Sequence, residues 1–379
     1  MKKLGICILV CFSFVFKANA QGTEIDTREI GGITTAVPFL LIIPDARSGG
    51  MGDIGVATSG DAFSLFHNPA KIAFNDRQVK FGITYSPWLR NLTDDIFTGS
   101  ASYINRFSEN AAWGADFKYF SLGQIDLTDS NGFSNGVINP NELAFTGSYA
   151  LKLSETFSMG VSLKYLRSNL TLTGVAGALQ PINSFAVDVS GFYQSEEENY
   201  GTFNGRYRLG FNIANIGPKV SYVPGTGQED FIPTNLKLGG GFDFIIDDYN
   251  TISTTLEFTK LLVPSPQADG SEEDKTWISG MFSSFGDAPG GFSEELKEFT
   301  YAFGAEYLYN NAFALRTGYF HESEDKGNRQ YFTMGAGFKT NALNVDLSYL
   351  INASDVNNPL ENSLRFSLSF DLGEIYDDY

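Results

Sequence analysis

One short stretch indicates the fold, and it reads Val79-Lys80-Phe81-Gly82-Ile83-Thr84-Tyr85. Large apolar side chains occupy every second position, and the residues between them are small or polar. The stretch Trp113-Gly114-Ala115-Asp116-Phe117-Lys118-Tyr119 repeats this pattern. Because successive side chains of a β-strand point to opposite faces, the two-residue period predicts strands with one apolar and one polar face.

Fourteen stretches share this alternation, and each predicts a strand core. They are residues 79–85, 97–103, 113–119, 143–151, 157–165, 185–193, 207–213, 236–244, 252–258, 299–307, 313–319, 332–338, 343–349 and 364–372. An even number of antiparallel strands is typical of single-chain bacterial outer-membrane barrels. The sequence therefore predicts an all-β fold, a 14-stranded antiparallel transmembrane β-barrel over residues 79–372, preceded by an N-terminal plug segment.

Charged residues inside these cores all lie on the face opposite the large apolar residues. Seven are basic and seven are acidic: Lys80, Lys118, Lys164, Arg208, Lys237, Arg316 and Arg365, and Asp116, Asp188, Asp243, Glu257, Glu306, Asp346 and Asp371. A basic side chain facing lipid at mid-bilayer costs about 2–4 kcal/mol. The charges are therefore expected to face the barrel interior, where equal numbers of each sign can pair.

The links between the cores alternate in length. Short links lie at 106–110, 154–155, 247–250, 309–311 and 340–341, and long ones at 121–139, 168–183, 216–234, 262–297, 320–330 and 350–363. Outer-membrane barrels have short periplasmic turns and long external loops, so the N- and C-termini are both predicted to be periplasmic. Link 194–205 departs from this rule, because it is of medium length where a short turn is expected. Residues 373–379 either extend the last strand towards Tyr376 or form a periplasmic tail.

Residues 1–20 have the features of a secretory signal peptide. Two lysines precede an apolar run over residues 4–16, which is too short to span a membrane. Ala18-Asn19-Ala20 then supplies the small residues that a signal peptidase requires, so the mature chain is predicted to start at Gln21. No later stretch approaches the roughly 20 apolar residues of a spanning helix.

The composition argues against several classes of function. The signal holds three of the 26 basic residues, which leaves 23 against 44 acidic ones, a net charge of −21. Nucleic-acid binding needs a basic surface, so no nucleic acid is expected as a partner. Cys7 and Cys11 both lie in the signal, and His67 and His321 are the sole histidines. The mature chain therefore offers no disulfide or thiolate metal site, and neither a metal nor a cofactor is predicted.

Two further patterns could carry chemistry. Asp61, Ser64 and His67 have the residue types of a hydrolase triad, but spacing alone is weak support, and a packing role is favoured. Acidic runs such as Glu196-Glu197-Glu198 could bind calcium, but they lack the spacing of a dedicated calcium loop. These runs are expected to be solvated, with divalent ions bridging them to outer-membrane lipid headgroups.

The segment before the first strand core, residues 21–78, is glycine-rich and too long to be only a linker between the signal peptide and the barrel. Glycine permits positive φ and close backbone approach, and a segment entering from the periplasm is predicted to fold into the lumen as a plug. The run from Asp45 to Ala57 and the triplet Asn68-Pro69-Ala70 resemble the N-terminal hatch of the fatty-acid-transporter superfamily, whose barrels have fourteen strands. The residues expected to form the plug are Asp45, Arg47, Gly49, Gly52, Asn68 and Pro69.

The longest link, 262–297, is an insert with large apolar residues among acids and glycines. They are Trp277, Ile278, Met281, Phe282, Phe285 and Phe292. Exposed apolar residues in a loop mark a binding patch when nothing covers them, so these residues are expected to bind a partner. The alternative is that they fold back and cap the barrel mouth. The run from Met281 to Leu296 resembles a signature of the PorV family.

The PorV family supplies the outer-membrane barrel component of the type IX, or gliding-associated, secretion system. The resemblance implies a non-enzymatic protein that binds the large outer-membrane translocon barrel and receives secreted cargo through the cargo's C-terminal domain. Cargo would then pass to the surface attachment complex. The alternative is an outer-membrane transporter of hydrophobic small molecules such as fatty acids, although the polar inward face argues mildly against it. A lipid-modifying enzyme would need a cluster of nucleophile, base and oxyanion donors that is not found in the sequence.

Overall fold

The computed structural model describes residues 32–87, 95–128, 131–171, 179–223, 225, 228–267, 270–272, 274–354 and 363–376. The predicted signal peptide, the first part of the predicted plug up to residue 31, and residues 377–379 of the predicted tail lie outside the described residues.

Fourteen long strands form one sheet. They are β1 (Arg77–Pro87), β2 (Ile96–Arg106), β3 (Ala111–Leu122), β4 (Asn141–Lys152), β5 (Phe157–Asn169), β6 (Ile182–Gln194), β7 (Asn204–Ile216), β8 (Asn235–Ile245), β9 (Asn250–Leu261), β10 (Phe299–Tyr309), β11 (Phe313–His321), β12 (Gln330–Lys339), β13 (Leu343–Asn352) and β14 (Leu364–Ile375).

Each long strand pairs antiparallel with its neighbours in the chain, and β14 pairs with β1. Phe81 of β1, for example, lies opposite Phe370 of β14. This pairing closes the sheet into a barrel. The predicted 14-stranded antiparallel barrel is therefore confirmed, and every predicted strand core lies inside one of these strands.

The two faces of the strands differ as the alternating pattern predicts. Along β4, Phe145 and Tyr149 are exposed, whereas Thr146 and Ser148 between them are buried. All fourteen charged residues assigned to the inward face are buried or half-buried. An apolar exterior and a polar interior are what a barrel in lipid requires.

Short and long links lie at opposite ends of the barrel, called here the turn end and the loop end. The medium link between β6 and β7 belongs to the turn end but is not a tight turn. Its Glu198–Asn199 pair forms a short ladder with Asn204 and Gly205, so the hairpin extends beyond the wall. At the loop end, Ile125–Thr128 and Ser134–Ile138 form a separate hairpin.

The last strand runs past the predicted end of the barrel at residue 372. It reaches Ile375, and the amide of Tyr376 then donates to the Asp76 carbonyl oxygen at 3.0 Å. The Tyr376 hydroxyl also donates to the Arg106 carbonyl oxygen at 2.9 Å. The first of the two alternatives for the C-terminal residues is therefore observed as far as residue 376.

The described helices are short and are not part of the barrel wall. The N-terminal segment, defined here as residues 32–76, contains 3₁₀ helices and α1; the insert contains α2 and α3. These elements are Pro38–Leu41, α1 (Ala46–Gly49), Ser64–Phe66 and Pro69–Phe74, then α2 (Trp277–Ser283) and α3 (Phe292–Lys297). Among the described residues, no helix has both the length and the apolar character needed to cross a membrane.

Candidate functional site

The backbone of the N-terminal segment packs directly against inward-facing glycines of the wall. A methyl group added at Gly210 of β7 would lie 2.1 Å from the Val56 carbonyl oxygen. One added at Gly318 of β11 would lie 2.1 Å from the Met51 carbonyl carbon, and Gly160 of β5 faces the backbone of residue 70 in the same way. Only glycine leaves room for so close an approach, so the segment and the wall are fitted to each other.

A chain of ion pairs joins the N-terminal segment to three strands. Arg47 lies 2.8 Å from Asp61 in the segment and 2.9 Å from Glu306 of β10. Glu306 also lies 2.6 Å from Arg316 of β11, which lies 2.6 Å from Asp346 of β13. Buried charges are tolerated when they are paired and hydrogen-bonded, and here each charge has a partner of opposite sign.

Lys71 is buried in the same region. Its ammonium donates to the Gly55 carbonyl oxygen at 2.8 Å and to the Thr58 hydroxyl at 2.9 Å. Burial lowers the pKa of Lys71 to about 8, although the nearby Asp61 carboxylate opposes that shift. For Asp61, burial acts to raise the pKa, but Lys71 and Arg47 outweigh it and hold the pKa below its usual value.

Further contacts reach β9, β12 and β14. The Asp53 carboxylate accepts a hydrogen bond from the Tyr331 hydroxyl at 2.6 Å and forms an ion pair with Arg365. Glu257 of β9 accepts hydrogen bonds from the two amides of Gly55-Val56 at 2.8 and 2.9 Å. The segment is therefore held from several sides of the barrel.

The geometry around His67 does not support the hydrolase alternative. The Nε2 atom of His67 lies 2.7 Å from Asp45 and 2.9 Å from the Ser48 hydroxyl. In a triad, the carboxylate and the serine contact opposite ring nitrogens, but here both contact the same nitrogen. Ser64 instead donates to Asp61 at 3.1 Å. The predicted trio is thus divided between two structural clusters.

The six residues predicted for the plug all lie on this packed segment: Asp45, Arg47, Gly49, Gly52, Asn68 and Pro69. Gly52 has a φ of +76°, and its amide donates to the Thr333 hydroxyl of β12 at 2.8 Å. The side-chain amide of Asn68 donates to the carbonyl oxygens of Val56 and Gly191 at 2.8 and 3.0 Å. These contacts account for the glycine at position 52 and the asparagine at position 68. That the segment closes the lumen stays a prediction.

A small cavity of about 60 Å³ lies between the segment and the wall. Leu41 and Phe66 line it together with Lys118, Lys164 and Lys237 of the wall. An engineered apolar cavity that binds benzene has a volume of about 150 Å³. This cavity is smaller and lined by charges, so it suits water better than a hydrocarbon.

The insert is held at the loop end by buried ion pairs. Lys260, near the end of β9, lies 2.6 Å from Glu295 and 2.7 Å from Glu298. Lys326, in the 3₁₀ helix Glu324–Lys326 of the loop after β11, lies 2.6 Å from Glu294. These carboxylates belong to α3 and the residue after it, so α3 is fixed both to the wall and to a neighbouring loop. We call these five side chains the insert anchor.

Four of the six apolar residues predicted to bind a partner are exposed, and we call them the insert patch: Ile278, Phe282, Phe285 and Phe292. Phe282 and Phe292 have 69% and 77% of their surface accessible. Trp277 and Met281 are half-buried. The alternative, in which the apolar residues fold back and cap the barrel mouth, therefore fits these two better than the other four. Exposed apolar side chains on a folded element are candidates for partner contact, and the binding role of these four stays a prediction.

The acidic residues that the structure describes show no arrangement for a cation. Residues 196–198 are exposed at the turn end. Asp247 instead accepts hydrogen bonds from the amides of Tyr249 and Asn250, both at 2.8 Å. Within the described ranges, no group of three or more His, Cys, Asp or Glu side chains is placed to hold a metal ion.

Sequence reasoning missed Asp53, Lys260 and Lys326. Asp53 lies inside the 45–57 run but has no feature that distinguishes it from other loop carboxylates. Lys260 follows the predicted core 252–258, in which Thr255 and Glu257 are buried and the residues between and after them are exposed. Continuing this alternation would leave Lys260 exposed, but it is buried because the alternation changes at residue 259. The partner of Lys326 is far away in sequence, so no local pattern identifies it.

Comparisons with known proteins agree with this architecture. A family model described as "Type IX secretion system protein PorV" matches residues 25–268, well over half of the chain, and ends before the run 281–296. No curated protein matches the sequence. The structure is similar to that of the P. putida toluene transporter TodX, with a TM-score of 0.52 at 11% identity over 88% of this chain and 99% of that one. It is also similar to the CymD monoaromatic hydrocarbon channel, with a TM-score of 0.50 at 15% identity over 87% and 97%.

Proposed function

Because this chain belongs to the PorV family and is an outer-membrane component of the type IX secretion system, we propose that it works by binding other proteins. The observation that carries the proposal is the insert patch, a set of exposed apolar side chains in an insert whose helix α3 is fixed by buried ion pairs. Aromatic anchors on a preorganised surface supply most of the binding energy at protein interfaces. No catalytic step is required for this role.

The partners follow from the resemblance and from the position of the patch. We propose the large outer-membrane translocon barrel, the C-terminal domains of secreted cargo, and the surface attachment complex as binding partners. The insert lies at the loop end, which faces the cell exterior if both termini are periplasmic. A patch there would meet cargo where it emerges from the translocon.

The test is a pull-down of the tagged full-length protein from detergent-solubilised membranes. The test variant carries Phe282→Ser, Phe285→Ser and Phe292→Ser, and the control carries Phe133→Ser, another exposed aromatic residue on a loop-end hairpin. The wild type and the control are expected to co-purify a very large barrel and secreted proteins. The triple variant should lose them at least about tenfold, because an interface anchor contributes roughly 2 kcal/mol or more.

If the triple variant co-purifies the same partners as well as the wild type does, the contact does not lie in the insert patch. A protein that purifies without partners but carries a hydrophobic ligand would instead support the transporter alternative. The similarity in fold to TodX and CymD favours that alternative. The 60 Å³ cavity and the close packing of the N-terminal segment weigh against it.

A further inference from the structure

The outward face of the barrel carries a groove of about 590 Å³ across β7 to β10. Gly240 of β8 lies opposite Leu209 of β7 and Leu256 of β9, and Leu256 lies opposite Phe303 of β10. These larger residues line the groove while Gly240 leaves its floor open. Binding sites for small molecules typically have volumes of about 300–1,000 Å³, so this groove is of ligand size.

Gly240 is the middle residue of three consecutive glycines, and its role differs from that of its neighbours. A methyl group at Gly239 would lie 2.5 Å from the Val56 side chain, and one at Gly241 would lie 3.0 Å from the Thr255 hydroxyl. Both therefore face crowded surroundings. A methyl group at Gly240 would have its nearest neighbour at 3.4 Å, the end of the Leu209 side chain, which is ordinary contact.

The described contacts within this chain therefore do not require a glycine at position 240. Glycine weakens a strand, and it is found where another molecule approaches the backbone closely. What sets Gly240 apart is its position on the groove floor, where it lets another molecule approach the backbone between Leu209 and Leu256.

The turn end of the groove is polar. Tyr207, which lines the groove, has its hydroxyl 2.7 Å from the Tyr200 hydroxyl. Tyr200 also donates to the carboxylate of Glu198 at 3.1 Å. Tyrosines with an apolar ring and a polar tip are enriched where a barrel meets lipid headgroups. The groove thus runs from the apolar wall to an exposed carboxylate, Glu198, at the turn end.

We infer that this groove binds a phospholipid with a primary-amine headgroup, of the phosphoethanolamine class. One acyl chain lies over Gly240 between Leu209 and Leu256, and the ammonium donates to Glu198. The wall faces lipid because the protein is an outer-membrane barrel, and the acidic hairpin at its turn end favours a cationic group. A choline headgroup has no N–H to donate to Glu198, so the site distinguishes the two classes. The inference is independent of the insert patch and its partners.

The test measures lipid retention by native mass spectrometry on the full-length protein in mild detergent. The probes are dioleoylphosphatidylethanolamine and dioleoylphosphatidylcholine, supplied at equal concentration. The variants are Gly240→Leu, which fills the groove from outside, and Glu198→Ala, which removes the hydrogen-bond acceptor at its polar end. Gly147→Leu is the matched control, because Gly147 also faces outward, on β4, and has open space around it.

The wild type and Gly147→Leu are expected to retain one ethanolamine lipid in preference to the choline lipid. Gly240→Leu should lower this retention at least tenfold, and Glu198→Ala should abolish the preference between headgroups. Glu198 lies in an extended hairpin outside the barrel wall, so that variant remains informative if Gly240→Leu fails to fold.

Two results would overturn the inference. One is equal retention of the ethanolamine lipid by the wild type and by a folded Gly240→Leu. The other is a wild type that does not prefer ethanolamine over choline. If Gly240→Leu loses a co-purifying barrel while its lipid retention is unchanged, the groove holds a neighbouring protein and the lipid assignment is wrong.

Discussion

Single glycines determine how closely the N-terminal segment can approach the wall. At Gly318 a methyl group would lie 2.1 Å from the carbonyl carbon of Met51, and backbone atoms cannot move aside as a side-chain end can. We expect Gly318→Ala to lower the free energy of unfolding by about 1–3 kcal/mol or more, the usual cost of overpacking. Urea unfolding of the barrel in lipid vesicles measures this. Gly147→Ala, where the space is open, should change it by less than about 0.5 kcal/mol; equal effects at both positions would contradict the assigned packing.

The Arg47–Asp61 ion pair gives a second prediction at the level of single residues. Arg47→Met leaves Asp61 partly buried without this partner and also removes one of the two partners of Glu306, and breaking a buried pair costs about 3–5 kcal/mol. Asp61→Asn in the same chain removes the unpaired charge, so the double variant should recover part of the loss. A double-mutant cycle in the same unfolding assay measures the coupling. Strictly additive effects of the two substitutions would show that the pair contributes nothing to stability.

The insert is the element whose stability should depend on pH. Burial raises the pKa of Glu294, but its hydrogen bonds with Lys326 and with the Gly290 amide outweigh burial and lower the pKa below its usual value. A lowered pKa in the folded state stabilises the insert above the usual carboxyl range. That contribution is lost as the pH falls from about 4.5 through the folded-state pKa. We expect amide hydrogen exchange in α3 to accelerate over that interval.

The control for this prediction is Lys326→Met. It removes the ammonium that lowers the pKa of Glu294, so the pH-dependent step in α3 should shrink and move to higher pH. Exchange in the barrel strands serves as an internal reference. An unchanged step in Lys326→Met would assign the pH dependence to a group other than Glu294.

At the scale of elements, the strands could be predicted from the sequence and the insert helices could not. A strand of a barrel in lipid repeats every two residues, and the pattern stays visible because lipid and lumen impose opposite demands on its faces. Helix α2 has seven residues, too few to show a helical period, and α3 is fixed by Lys260 and Lys326 from elsewhere in the chain. The apolar residues of the insert patch could likewise be identified from the sequence. The exposure of Phe282 and the half-burial of Trp277 could not, because they depend on tertiary packing.

At the scale of the whole molecule, three parts of the protein have different surface chemistry. The inward face balances its charges and binds the N-terminal segment, the outward face is apolar, and the loop end carries the insert patch. The predicted mature charge of −21 therefore lies in links and ends rather than in the strands. If this division holds, protein partners contact the loop end, and no molecule needs to pass through the lumen.

Locking the N-terminal segment to the wall tests that division directly. The amide of Ala46 donates to the Ser367 hydroxyl of β14 at 2.8 Å, which places the two backbones within the span of a disulfide. Both native cysteines lie in the predicted signal, so Ala46→Cys with Ser367→Cys provides a single possible pair in the mature chain. If the segment is a fixed part of the barrel, the oxidised double variant should display cargo on the cell surface at the level of the wild type, with or without reductant. Each single cysteine variant is the control for the substitutions themselves. Display that falls on oxidation and returns with reductant would mean that the segment must move, which is the behaviour of a transporter with a movable hatch.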